Sequence, residues 1–367
     1  MTNGKADRAR PFSRRTRRIG YTLIGIAVAL IVVIGVVIPM PYVIEGPGPT
    51  FNVLGREGTT PIITVSGHPR AQTQKNLRMV TVSMRGGPGS HVTGAEVAWA
   101  LINPDEAIYP VDEIYPATMS AEDVRKQSTA QMEGSQVNAK VAALSELGIA
   151  TPATLRVAGV VDNSPAAKYL REGDVITAVS VGGTRSEVTD ASVLFRRLEA
   201  ASPTDDLVIF YTRNGESHEA HMRGKARTDG PGVLIGVAVD PQVKLPVDID
   251  ITLDNVGGPS AGMMFALGII EVMTDEEHTD NGPVIAGTGA VSMGGGVLQI
   301  SGVPQKMRAA TDAGAHWFLL PETNCADALG HVPDGLRIVP VESLHEARDV
   351  VDDIERGQTA DLPQCSS

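Results

Sequence analysis

Ser260 and Lys306 are the residues whose types and settings point to chemistry. Ser260 stands in Gly257-Gly258-Pro259-Ser260-Ala261-Gly262 and Lys306 in Gly302-Val303-Pro304-Gln305-Lys306; beyond residue 226 the lysines are Lys244 and Lys306 alone. A serine hydroxyl is a poor nucleophile until a base takes its proton. A lysine amine can do so only when neutral, and moving its pKa from about 10.4 toward 7 is worth roughly 4–5 kcal/mol at about 1.36 per unit, within the range burial supplies. Val303, Pro304, Met307, Ala309 and Ala310 surround Lys306, and the helix start expected there disfavours positive charge. Gly257, Gly258 and Ser260 offer backbone N–H groups to a developing oxyanion at the head of an apolar helix. Taken singly, each motif also has a plain structural reading, since Pro and Ser are common at helix starts and a lysine on an amphipathic helix usually faces water. Together they offer the nucleophile and base of a Ser-Lys hydrolase.

The elements that must position this pair follow from periodicity and punctuation. Strands are predicted at Val233–Val239 and Val247–Leu253, a helix from Pro259 to about Met273, strands near Val284–Val291 and Gly296–Ile300, a helix over Pro304–Ala313 and a strand at Trp317–Leu320. Two further strand–helix steps run to about Ile354, and this alternation indicates an α/β domain over residues 226–356. Upstream, Ile62–Val65 and Met79–Met84 read as strands, and Thr93–Ile102 and Ser120–Leu147 as helices, the latter opened by Ser120 with Asp123 three residues on. Residues 41–50 are too rich in Pro and Gly for a regular element to be expected. The tail, residues 357–367, reads as disordered.

Leu155 to Met222 has its own order: a strand, Ser164-Pro165-Ala166-Ala167, Gly173-Asp174-Val175-Ile176, a Gly182-Gly183 turn, a helix over Thr189–Ala200 and the hairpin Leu207–Thr212/Ser217–Met222. Residues 148–225 thereby resemble a PDZ domain, the module that receives an extended peptide as an added strand, with Leu147-Gly148-Ile149 as a candidate carboxylate-binding loop. The chemistry-bearing segments resemble the proteolytic domain of the Lon family. Gly258-Pro259-Ser260-Ala261-Gly262, then Thr288-Gly289, then Gly302 and Gln305-Lys306 with Ala309-Ala310 and Ala313-Gly314 stand in that family's order. The resemblance implies Ser260 and Lys306 as catalytic, and Thr288, eighteen residues before Lys306, as the residue that orients the lysine. Asn324 lies where Lon sequences often carry asparagine. Gly257 stands where many carry an aspartate, and Ser301 replaces a glycine. The family's ATPase motif does not occur, Gly4-Lys5 and Gly224-Lys225 each being followed by alanine, so ATP-independent cleavage with no cofactor and no metal is expected.

A Lon-type fold needs strands and a helix before its serine, and residues 39–147 are the expected source, which would make the PDZ-like segment an insertion in a discontinuous domain. Ahead of it, residues 1–18 carry Lys5, Arg8, Arg10, Arg14, Arg15, Arg17 and Arg18 against Asp7, and the uncharged run Ile19–Ile38 follows. Twenty residues rising 1.5 Å each span about 30 Å, one hydrocarbon thickness. Residues 19–38 therefore read as a transmembrane signal anchor whose basic flank stays cytoplasmic, leaving the catalytic part extracytoplasmic. The whole resembles the membrane-anchored, PDZ-containing Lon-like proteases of bacteria, which implies polypeptide substrates and a homo-oligomer, a hexamer by the family's habit.

Of the net charge of −12, residues 1–18 contribute +6 and the rest −18, and an acidic exported portion argues against nucleic acid as partner. Cys325 and Cys365 are too few for a disulfide framework, and their pairing is left open. Two other readings stand beside the dyad. Gly258-Pro259-Ser260-Ala261-Gly262 also fits the G-x-S-x-G turn of esterases, with His316, His331 or His345 as base, and an inactive scaffold would leave the work to the PDZ-like segment. His218-Glu219-Ala220-His221 is one residue short of the zinc-protease H-E-x-x-H pattern.

Overall fold

The computed structural model describes residues 14–67, 76–253, 256–274 and 282–365, without the side chains of residues 14–20, 31, 32, 34 and 37. Most of the basic segment, Asn255 and the acidic run Asp275-Glu276-Glu277 lie outside the described residues. The helices used below are α1 (Arg14–Val37), α2 (Gly94–Ala100), α3 (Ala121–Glu146), α4 (Val193–Glu199), α5 (Gly262–Thr274), α6 (Val303–Asp312) and α7 (Leu344–Glu355). The chain divides into two units, Met1–Gly46 with Met84–Ala121 and Pro47–Ser83 with Glu122–Ser367.

In the first unit α1 leads into Pro39–Met40, which pairs antiparallel with Val92–Thr93, and Tyr42–Glu45 then pairs antiparallel with Ala107–Pro110. The helix expected over Thr93–Ile102 is α2, opened by a capping box: the Thr93 hydroxyl accepts from the Glu96 N–H, and the Glu96 carboxylate accepts from the Thr93 N–H at 2.7 Å. Ile44, Val92, Val97 and Ala100 form a small core. The described side chains of α1 from Tyr21 to Leu30 are all exposed. Among the described residues no helix is long and apolar enough to cross a membrane, the side chains of α1 being described only in part beyond Leu30.

The Pro-Gly segment is a correction to the sequence reading, for Tyr42–Asn52 is a strand. Its glycines allow close approach to a neighbouring chain: a Cβ on Gly48 would lie 2.8 Å from the Thr81 carbonyl carbon, and the Thr81 hydroxyl donates to the Pro49 carbonyl at 2.8 Å. Pro47 and Pro49 fall at alternate positions, so the donors they lack are missing from one side of the strand only.

The second unit is built on parallel pairings in the order Arg337–Val341, Trp317–Pro321, Val284–Gly287, Asn76–Arg85. One apolar core joins Leu77, Met79, Met132 and Ala139 to Ile249, Phe265, Ile285, Leu319 and Val350. Residues on both sides of 153–243 thus build a single domain, and that stretch is an insertion within it. The insertion has its own core (Leu155, Ile176, Leu194, Leu207, Ile209, Val233, Ile235) and a sheet ordered Glu216–Met222, Leu207–Arg213, Val175–Val181, Ala153–Val160, Val237–Val243. Asp174, fully buried, accepts two bonds of 2.8 Å from Arg213.

Two boundaries move. Val237–Val243, assigned from sequence to the domain beginning at residue 226, pairs with Ala153–Val160 and belongs to the inserted sheet. Leu147-Gly148-Ile149, the candidate carboxylate loop, closes α3, with Leu147 and Ile149 packed on the main core. Alternating apolar residues mark a strand but not the sheet that receives it. The tail also departs from expectation: Cys365 is bonded to Cys325, and Leu362 packs on the main core.

Candidate active site

Ser260 lies in a turn, half-buried, two residues before α5, which starts at Gly262 and not at Pro259. Gly258 has φ +87°, a conformation other residues rarely adopt, so the loop can reverse at this point only with glycine. The loop leans on α3: the Gly258 N–H donates to the Ser128 carbonyl at 3.2 Å, and the Ser135 hydroxyl donates to the Pro259 carbonyl at 2.9 Å. A Cβ on Gly257 would overlap the Ser128 hydroxyl, so any larger residue there requires that hydroxyl to move.

From the other side the backbone of Ser260 is gripped by the end of the Val284–Gly287 strand. The Ser260 carbonyl accepts from the Gly289 N–H at 2.8 Å and from the Thr288 hydroxyl at 3.2 Å, while the Thr288 N–H donates to Leu319 at 3.0 Å. Thr288 is fully buried. Lys306 sits in the first turn of α6, 3% exposed. Its own N–H bonds the carbonyl of Gly302, which caps the helix with φ +70°. Val303, Met307 and Ala310 of α6 share a core with Ala286 and Phe318, so the helix that carries the lysine packs on the strand that leads to Thr288. Asn324, fully buried, holds the chain entering α6 by accepting from the Ile300 N–H at 2.9 Å and donating to the Ile300 carbonyl at 2.8 Å.

Four contributors escaped the sequence reading: Ser128, Ser135, Ser292 and Glu199. The hairpin Ala290–Val291/Val297–Leu298 continues directly from Thr288-Gly289. At its tip the Glu199 carboxylate, at the end of α4 in the inserted module, accepts from the Ser292 hydroxyl and from the Gly296 N–H. Burial pushes the Glu199 carboxyl up, against the opposing pull of Ser292 and the Arg227 guanidinium. Met293 is buried in one apolar cluster with Val141 and Ala191. The hairpin is also stitched to the stretch before α7, where the Val297 N–H meets the Glu342 carbonyl at 2.8 Å and the Leu344 N–H meets the Gly295 carbonyl at 2.7 Å. None of these residues has a motif that periodicity could flag, because each acts through a partner far away in sequence.

The histidines fall elsewhere. His345 pairs with Glu146 at 2.8 Å, a contact that raises its pKa, and His316 and His331 are exposed. Ser260 follows the strand Ile249–Ile251 by nine residues, too far for the tight strand–turn–helix of an esterase elbow. His218 and His221 lie on the strand Glu216–Met222, and among the described residues no group of His, Cys, Asp or Glu could hold a metal ion.

Residues 248–353 match the sequence model of the Lon protease (S16) C-terminal proteolytic domain. That segment is a Lon-type proteolytic domain. Its family is one of serine-type peptidases. The chain is 37% identical over 94 residues to the Lon protease of Neorickettsia sennetsu, covering 24% of this chain and 11% of that protein. It is 27% identical over 236 residues to the archaeal Lon protease of Methanothermobacter thermautotrophicus, covering 55% of this chain and 36% of that one. The chain thus spans a minor part of these relatives. Among solved structures, the PDZ domain of the SdrC-like protein from Listeria monocytogenes aligns at 23% identity and a TM-score of 0.20, covering 23% of this chain and 85% of that one. The matched segment therefore contains Ser260, Thr288 and Lys306 and follows the inserted module in sequence.

Proposed function

We propose that the protein is an ATP-independent, membrane-anchored serine endopeptidase that cleaves unfolded or exposed polypeptide segments through Ser260 and Lys306. The observation that carries this reading is the grip of Thr288 and Gly289 on the Ser260 backbone, on the strand against which the helix of the buried Lys306 packs. The Lys306 amine takes the proton of the Ser260 hydroxyl as its oxygen bonds to the substrate carbonyl carbon. The resulting oxyanion is received by backbone N–H groups of the loop, those of Gly257 and Ser260 being the candidates because the Gly258 N–H is engaged by Ser128. The C–N bond breaks as Lys306 returns the proton to the leaving amine, and water, deprotonated by the same amine, hydrolyses the acyl ester. Thr288 positions the chain on which the pair depends.

The uncharged run Ile19–Ile38 behind a basic flank supports a single-pass anchor with the N-terminus cytoplasmic. Side chains such as Tyr21, Ile24 and Leu30, each more than half exposed, support lipid as the surroundings of α1. The Cys325–Cys365 bond suits an oxidising, extracytoplasmic compartment. The inserted module acts as a PDZ-like receiver of extended segments, for which Val237–Val243, at the end of its sheet order, offers an edge. Full-length protein in detergent micelles is expected to cleave a disordered polypeptide equally with and without ATP. Absence of cleavage by wild type, or a strict need for ATP, would overturn this reading.

A further inference from the structure

Three exposed apolar side chains stand together in the first unit: Trp99 at 60%, Leu101 at 74% and Ile102 at 74%. They lie on and just beyond the last turn of α2, whose opposite residues Val97 and Ala100 are buried in the small core with Ile44 and Val92. The packing of that core does not require them outside, and three adjacent large apolar residues left in water call for a partner.

The chain path says which partner. Pro39 and Met40, leaving α1, pair antiparallel with Thr93 and Val92, so the chain entering α2 runs back toward α1. Glycine meets glycine at the crossing: a Cβ on Gly94 would lie 3.0 Å from the Gly35 carbonyl oxygen. Gly35 is three residues before Ile38, the end of the uncharged run, which puts the start of α2 about 5 Å inside that end at 1.5 Å per residue. The seven residues of α2 then carry Trp99, Leu101 and Ile102 at its far end, within about 10 Å of that crossing. The following loop is polar, and Glu106 is drawn back to Arg85 by an ion pair of 2.8 Å, which limits the apolar segment to a shallow tip. A tryptophan beside aliphatic residues suits the boundary between headgroups and hydrocarbon.

We infer that Trp99, Leu101 and Ile102 form a wedge that enters the headgroup–hydrocarbon boundary of the leaflet through which α1 leaves the bilayer. This rests on the anchoring of α1. The wedge makes the first unit a two-point membrane attachment, with α1 spanning and α2 lying against the surface layer.

The test uses the full chain in phosphatidylcholine–phosphatidylglycerol vesicles. Trp99 and Trp317 are its two tryptophans, so Trp317→Phe leaves Trp99 as sole reporter. Its emission should be blue-shifted and quenched at least about twofold by lipids brominated near the headgroup end of the acyl chain, less by lipids brominated near the chain terminus, as a boundary residue requires. The reciprocal Trp99→Phe variant, reporting Trp317, should be insensitive to both and guards against misfolding of the first variant. Protein that floats with the vesicles while Trp99 stays red-shifted, open to acrylamide and unquenched by bromolipid would overturn the wedge and spare the anchor. Failure to float would remove the anchor and the wedge together. A blue shift that grows with protein concentration without bromolipid quenching would assign the patch to a second copy and overturn the proposal.

Discussion

The two halves of the candidate site are held very differently. Lys306 and Thr288 are buried, on a helix capped by Gly302 and at the end of an internal parallel strand, with Asn324 securing the approach to α6. Ser260 is on a half-buried turn braced by Ser128 and Ser135 of α3 and by the backbone of Thr288-Gly289. Lys306 and Thr288 are thus part of the core, while Ser260 is carried on a loop. A loop so braced can adjust to a substrate without disturbing the buried amine, and its geometry depends on contacts that are individually weak.

Breaking either half outright gives the largest effect. Ser260→Ala or Lys306→Ala should each lower kcat for peptide cleavage at least about a thousandfold with the fold intact, as for other catalytic units whose members act together. Thr288→Val, which keeps shape but removes the hydroxyl that donates to the Ser260 carbonyl, should cost about tenfold to a hundredfold in kcat with little change in KM. The hairpin next to Thr288 sharpens the contrast. Glu199→Ala strands the Ser292 hydroxyl proton and leaves the Gly296 N–H to the Ser292 oxygen alone, should destabilise by about 1–3 kcal/mol in thermal unfolding, and should lower kcat more than it raises KM. Glu199→Gln, which keeps an acceptor, should recover most of the kcat.

Cys325→Ser with Cys365→Ser should lower stability by about 2–4 kcal/mol and leave peptide cleavage at low temperature nearly unchanged. The smallest effect concerns pH. Glu342 is raised to about 7 by its hydrogen bond with Glu322, by burial and by Glu346. A carboxyl whose folded pKa is raised favours the fold below its ordinary value near 4.5, and that advantage is lost as pH rises through about 7. Glu342→Gln should therefore raise Tm at pH 8 relative to wild type and change it little at pH 4.

Much of this was legible in the sequence because local signals coincide with it. A helix over the uncharged run from Ile19, the helix beginning near Thr93, the hairpin Leu207–Arg213/Glu216–Met222 and the Val303–Asp312 helix follow from periodicity and turn residues, whereas the Thr93–Glu96 capping box went unread. Gly257, Gly258, Ser260, Thr288 and Lys306 stood out by motif. What local signals could not supply was partnership. Tyr42–Asn52 is a strand despite its prolines, since the chain beside it tolerates them, and Val237–Val243 joins the inserted sheet because Ala153–Val160 offers it an edge. Ser128, Ser135 and Glu199 matter only through contacts more than ninety residues away in sequence.

The most direct measurement is covalent labelling of Ser260 by a fluorophosphonate, read by intact mass and peptide mapping on the full chain in detergent. The dyad predicts a single adduct at Ser260 in wild type, its loss in Lys306→Ala, and unchanged labelling in His316→Ala, His331→Ala and His345→Ala. Labelling that survives Lys306→Ala, or that disappears with one of the histidines, would contradict it.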